Sequence, residues 1–293
     1  MFSIIVPTYN NINYLKILIS SIEKNSKFNH EIIIHINEGN DGTVQYIKDK
    51  GFKYTYTKTN VGLCTAVNLS AKKATTEFIL YSHDDMYFCP GWDEALLKEI
   101  NSLDTKAYYI SGTMIEKETG HIQLDCGTDH KDFDEIKLLE NYNKINYINH
   151  QGSHWAPHLI HKDFWDKIGG FSEEFNPGIG SDPDLNMKLW KAGVRIFKGL
   201  ESFRVYHFGS VVLRKKKNFT KNNGTKTFLL KWGITPKFFV KYYLKGGIFK
   251  KGKIICKPFE GPLKHPRYTI NFLLQWIICK IKFFMLKIFS FKL

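Results

Sequence analysis

Long hydrophobic runs, paired cysteines and C-terminal acids are what this 293-residue chain lacks. Beyond residue 210 the longest uncharged stretch, Tyr268 to Cys279, has 12 residues, short of the roughly 17 to 25 that span a bilayer as a helix. The five cysteines (Cys64, Cys89, Cys126, Cys256, Cys279) lie 25, 37, 130 and 23 positions apart. That spacing excludes a C-x-x-C zinc or redox pair, and an odd number leaves one thiol over from any full disulfide pairing. Reduced thiols in a cytoplasmic setting are expected. Met1 to Pro7 has no basic residue before its apolar run, and Pro7 cuts that run short, so a secretory leader is not expected. No internal repeat is apparent, which argues against solenoids and propellers.

Acid is scarce at one end only. Val211 to Leu293 holds 20 of the 42 Lys and Arg but one of the 28 acids, Glu260, leaving 22 bases and 27 acids before it. An acidic globular part, residues 1–210, therefore carries a basic, aromatic-rich and mostly helical tail, residues 211–293. The globular part is long enough to bury one full α/β core.

What is present is an alternation of strand and helix patterns. Phe2–Val6, Glu31–Ile36, Phe52–Thr57 and Phe78–Ser82 read as strands, with apolar residues at helical spacing between them, as at Tyr14, Leu15, Leu18, Ile19 and Ile22. Such alternation predicts an α/β sheet, largely parallel, with ligands at the carboxyl ends of its strands. The fourth strand runs straight into His83-Asp84-Asp85. Two adjacent carboxylates at the end of a buried strand raise each other's pKa and resist desolvation, so a divalent cation is their natural counter-charge. Asp182-Pro183-Asp184 opens a helix that Gly193 stops, with Pro183 in the first turn. Val194–Phe197 and Phe203–His207 read as two closing strands, and Gly120 to Asn149 shows no clear pattern. His150, His154, His158 and His161 recur at helical spacing, but Gly152 and Pro157 break such a helix.

In order along residues 2 to 210, these pieces resemble the family 2 nucleotide-sugar glycosyltransferases of GT-A fold that build bacterial surface polysaccharides. Ser3 to Asn10 is similar to the opening strand and nucleotide loop, and Asp41-Gly42-Thr43 to the end of the next loop. Asn60-x-Gly62-x3-Ala66-x-Asn68 resembles the helix after strand three, and His83-Asp84-Asp85 the metal motif. Gly169 to Glu173 resembles the acceptor-side segment, Asp182 to Leu185 the base-bearing helix, and His207 to Ser210 the closing motif. The resemblance implies a GT-A fold, with a Rossmann-like mixed sheet flanked by helices, and inverting transfer from a nucleoside diphosphate sugar to a glycan or lipid-linked acceptor. It assigns Asp182 as general base, Asp85 and His207 to Mn²⁺ or Mg²⁺, and Pro7, Thr8, Tyr9, Asn37, Gly62 and Asp84 to the nucleotide. The family commonly has an acid where this chain has His83, and an aspartate near Ile36–Asn37 facing the base. Asn37 both donates and accepts, which leaves the base open. Nucleotidyl transfer and a non-catalytic binding module are the alternative readings. Trp155 is a candidate for stacking on a sugar ring.

The tail mixes lysine with Phe, Ile and Leu more closely than phosphate contact needs, which speaks against nucleic acid. Lysine-punctuated apolar segments lie in the interface of anionic membranes, so a peripheral position at the inner face of the membrane is expected, with an oligomer contact as the other reading.

Overall fold

A computed structural model describes residues 1–209, 222–250 and 253–290, with side chains to 288. The domain boundary expected near Ser210 falls outside these residues. Strand β1 (Ser3–Tyr9) leads into helix α1 (Ile12–Asn25), β2 (Glu31–Asn37) into α2 (Thr43–Lys50), and β3 (Lys53–Thr57) into α3 (Leu63–Ala71). Strand β4 (Phe78–Tyr81) ends at the carboxylate pair, and β5 (Met86–Phe88) and α4 (Trp92–Asn101) follow. Strand β6 (Tyr108–Glu116) comes next, and the unpatterned stretch after it contains β7 (Ile122–Gln123) and α5 (Glu135–Asn141). Beyond it come β8 (His150–Gln151), β9 (His158–His161), α6 (Lys162–Ile168), α7 (Ser181–Lys191) and β10 (Ile196–His207).

These ten strands form one sheet in the order β3-β2-β1-β4-β9-β6-β10-β5, with β7 beside β6 and β8 beside β10. The first four are parallel, as the alternation predicts. The sheet as a whole is mixed, because β9 runs antiparallel to both β4 and β6, and β5 antiparallel to β10. One difference from the sequence reading has a local cause. The two closing strands are one, β10, interrupted by a shift in register between Leu200 and Arg204. His150 lies in β8 and His158 and His161 in β9, with His154 in the loop between, so the four spaced histidines share no helix, as Gly152 and Pro157 require.

The core is built as the patterns require. Helix α1 buries Tyr14, Leu15, Leu18, Ile19 and Ile22 on one face, each contributing about 1.5–3 kcal/mol. Helix α3 packs on β1 and β2, and α4 on β10. The C-terminal segment joins this core. Helix α8 (Gly224–Trp232), the turn α9 (Pro236–Phe239) with its continuation Val240–Leu244, the hairpin β11 (Ile248–Lys250)–β12 (Lys253–Ile255) and helix α10 (Ile270–Ser290) follow in order. Phe228, Phe239, Leu244 and Phe272 are buried in the same cluster as the strand residues Ile5 and Leu80.

Candidate functional site

Parallel strands β1, β2 and β4 end side by side, so the residues just past them face a common cleft. It has a volume of about 340 Å³ and is lined by Pro7, Thr8 and Tyr9 from β1, Asn37 from β2, and Tyr81 to Asp85 save Ser82 from β4. Its far wall is Pro177 to Asp182, and Asn60 and Leu63 complete it. That volume lies in the range of small-molecule sites.

The nucleotide loops are pinned by one another. Asp41 Oδ2 accepts from the Ile12 amide at 2.8 Å and its Oδ1 from the Thr43 hydroxyl at 2.6 Å, so Asp41-Gly42-Thr43 ties the starts of α1 and α2 together outside the cleft. Asn37 Oδ1 accepts from the Val61 amide at 3.0 Å, which commits its carbonyl to the loop and leaves its amide nitrogen for a ligand. Gly62 sits behind the lining with φ +83°, and a Cβ there would lie 2.4 Å from Asn176 Oδ1. That oxygen instead accepts from the Cys64 amide at the start of α3. Asn68 makes two backbone bonds with Phe171, each 2.9 Å. A Cβ on Gly170 would come within 2.5 Å of Asn68 Oδ1. The Asn68 and Gly169-Gly170-Phe171 pieces of the motif are thus two sides of a single clamp.

The carboxylate pair divides its labour. Asp84 is buried and accepts from the Thr8 hydroxyl at 2.6 Å; burial, then the charge of Asp85, pushes it up to about 7. Asp85 faces two imidazoles, with its Oδ1 3.4 Å from His207 Nε2 and 4.0 Å from His83 Nδ1. Ligand atoms of His83, Asp85 and His207 all lie within 4.8 Å of one another. The antiparallel pairing of His207 with Met86 brings β10 alongside Asp85. The parallel pairing of Tyr206 with Ile115 brings Glu116 to the same imidazole, where its Oε1 lies 2.6 Å from His207 Nδ1. A carboxylate holding Nδ1–H leaves Nε2 as the nitrogen that turns toward Asp85, the arrangement of a metal-ligating histidine.

These residues fit a divalent cation. Burial alone would pull His207 down, but Asp85 and Glu116 together push it up to about 10, so the two carboxylates hold a positive charge at this point. Burial pulls His83 down to about 4, which keeps its ring neutral and able to ligate. Two imidazoles and a carboxylate suit Mn²⁺ and its borderline neighbours. Glu116 was missed in the sequence although it carries a related signal to Asp84-Asp85, an acid at the carboxyl end of a buried strand.

Across the cleft, Asp182 stands in the first turn of α7, half-buried, and burial pushes its carboxyl up to about 7. Asp184 turns away. Fully buried, its Oδ2 accepts from the Ser172 hydroxyl at 2.6 Å and its Oδ1 from the Trp232 indole at 2.7 Å, with Lys231 Nζ 3.0 Å from Oδ1. One carboxylate of this helix therefore faces the cleft and the other bolts α7 to α8. Trp155 does not line the cleft; its ring packs 3.9 Å from that of His154. A second group, His121, His150 and Cys256, also gathers ligand atoms within 4.8 Å. His121 Nδ1 there accepts from the Met114 amide, so its Nε2 keeps the ring proton.

A family model described as glycosyl transferase family 2 matches residues 3–162. An uncharacterized glycosyltransferase of Rickettsia typhi is 36% identical over 220 residues, 74% of this chain and 64% of that protein. An uncharacterized glycosyltransferase of Rickettsia prowazekii is 30% identical over 195 residues, 65% of this chain and 59% of that protein. The chain thus spans less than two thirds of these relatives. Among solved structures, Staphylococcus aureus TarS 1–349 in complex with UDP-GlcNAc superposes with a TM-score of 0.53 at 17% identity, covering 71% of this chain and 60% of that one. GalNAc-T7 with UDP, GalNAc and Mn²⁺ gives 0.54 at 16% identity, covering 82% and 46%. At such identities the likeness shows a shared GT-A fold.

Proposed function

Because the chain belongs to glycosyl transferase family 2, we propose that it transfers a sugar, with inversion, from a nucleoside diphosphate donor to a hydroxyl of a glycan or lipid-linked acceptor in surface polysaccharide synthesis. One observation carries this reading: Asp182 shares a single cleft with the Asp84-Asp85 pair. The diphosphate end of a donor belongs at Asp85, His83 and His207. Thr8, Tyr9, Asn37 and Asp84 line the nucleoside end, and the sugar then points toward Asp182. The two structural neighbours are complexes with UDP-GlcNAc and with UDP and GalNAc, which makes UDP-sugars the first donors to try.

In the transfer step Asp182 takes the proton of the acceptor hydroxyl as its oxygen bonds to the anomeric carbon. The bond from that carbon to the phosphate oxygen breaks, and the diphosphate leaves with the electron pair. A divalent ion, when bound, offsets the charge that grows on the diphosphate. Glu116 contributes by fixing the ring of His207, and the cleft walls hold donor and acceptor in line.

Incubation with a panel of nucleotide sugars and Mn²⁺ tests the reading. Release of nucleoside diphosphate with an inverted anomeric centre, seen by NMR, is expected. Release of sugar 1-phosphate instead means nucleotidyl transfer, and no turnover with any donor that binds means a binding module.

A further inference from the structure

Helix α10 is the part of the fold with most unexplained apolar surface. It runs 21 residues, about 30 Å, and buries Phe272 and Cys279 against α8 and α9, with half-buried Phe283 and Leu286 on the same side. Phe272 meets the Phe238 ring at 5.0 Å, and Cys279 Sγ lies 3.9 Å from the Thr235 hydroxyl. At about 100° per residue, Leu274, Ile277, Ile281, Phe284, Met285 and Ile288 fall on the opposite side, in an arc about 100° wide. They are 47 to 60% exposed. The charges stand at the shoulders of that arc, Lys280 and Lys287 along one edge and Lys282 along the other. Lys280 Nζ lies 5.1 Å over the Trp276 ring and Lys287 Nζ 4.8 Å over that of Phe283, which directs both ammonium groups back toward the body of the protein.

From sequence alone the lysines share no face and the helix reads as poorly amphipathic. Packing sorts it. With one stripe buried in the protein, what remains outward is an apolar ridge bordered on both sides by lysine.

We propose that α10 docks the protein on an anionic lipid bilayer, lying in the plane of the interface with this ridge among the acyl chains and Lys280, Lys282 and Lys287 at the headgroups. An apolar face flanked by cations is the form that binds such an interface, and long basic side chains reach the headgroups while their stems stay in apolar surroundings. No helix among the described residues is long and apolar enough to cross a membrane, so this one lies on it. Charge decides against a second copy of the chain as the occupant. Two segments each holding 20 bases and one acid repel when brought face to face, whereas an anionic leaflet attracts both. The proposal does not depend on the transfer chemistry, because its test reads binding alone.

The full chain is sedimented with vesicles of phosphatidylcholine and with vesicles of equal parts phosphatidylcholine and phosphatidylglycerol. Binding to the second, weakened by salt, is expected. The Ile277→Glu/Ile281→Glu variant, changed only at exposed positions, should lose at least tenfold in affinity for the anionic vesicles. Each lysine replaced by alanine should lose about fivefold. Thermal melting checks that the variants remain folded. Wild-type binding by the double glutamate variant, or no binding of the wild type to anionic vesicles, overturns the proposal. So does a concentration-dependent dimer, in sedimentation velocity without lipid, that the same variant abolishes.

Discussion

Replacing Asp182 by asparagine should make the protein inactive and more stable at once, and the stability gain should depend on pH. Burial raises this carboxyl from 3.8 to about 7. A carboxyl raised on folding is held protonated in the folded state while the unfolded chain ionises. The cost of its ionisation is therefore absent below about pH 4, grows between the ordinary carboxylate range and pH 7, and is constant above. The whole shift corresponds to about 4 kcal/mol. Asp182 is half-buried and its surroundings can relax, so about 1 to 2 kcal/mol is the realistic gain. For a chain this long that is a rise in Tm of roughly 2 to 8 °C. Melting curves of wild type and Asp182→Asn, taken with chelator and without donor at pH 4 and pH 8, should coincide at the lower pH and separate at the higher. Wild-type kcat/KM should fall below about pH 7 as the base is protonated, and the variant should lose at least 10²-fold at pH 8. Equal melting at both pH values would show that Asp182 is not held in a costly ionised state. Turnover near wild type in the variant would remove it as the base.

Glu116→Gln should weaken Mn²⁺ binding 10- to 100-fold, read by calorimetry, while leaving binding of free nucleoside to the cleft unchanged. Asp184→Ala leaves the Trp232 indole without its buried acceptor, while Lys231 keeps Glu174, and should cost about 1 to 3 kcal/mol in chemical denaturation. Gly62→Ala combines a left-handed φ of +83° with a Cβ 2.4 Å from Asn176 Oδ1. It should cost about 1 to 3 kcal/mol and raise KM for donor more than it lowers kcat, because it moves the loop that Asn37 holds. Chelation should abolish turnover, and Mn²⁺ should restore it.

The residues that could be read from sequence were those whose signal is local. Buried strands β1 and β4 are continuous apolar runs, and their ends announce themselves as Thr8-Tyr9 and His83-Asp84-Asp85. Helix α7 carries its own start and stop. Where meaning depended on pairing, only the family resemblance spoke, by setting His207 with Asp85. Nothing near Met86 or His207 tells that β5 and β10 meet in the register that sets His207 beside Asp85. The parallel register of β6 and β10 that delivers Glu116 is equally invisible. His83 stood out only as a departure from an acid, and its place beside Asp85 makes it a neutral ligand candidate. The lysines of α10 misled for the complementary reason, since the face of a helix has no direction until its buried stripe is known.

The bond between Asp184 and Trp232 also sets an order of events. Synthesis runs from the amino end, so α7 with its carboxylates is complete some forty residues before the ammonium that pairs with Asp184 and the indole that donates to it have been made. Until α8 arrives, the helix bearing the base has its apolar face to seat in the core, while Asp184 at its root has only the Ser172 hydroxyl and lacks the ammonium and indole it meets in the full chain. The wall opposite the diphosphate is thus expected to be completed last, with a ribosome-bound chain stopped before residue 222 holding its nucleotide loops more firmly than its acceptor side.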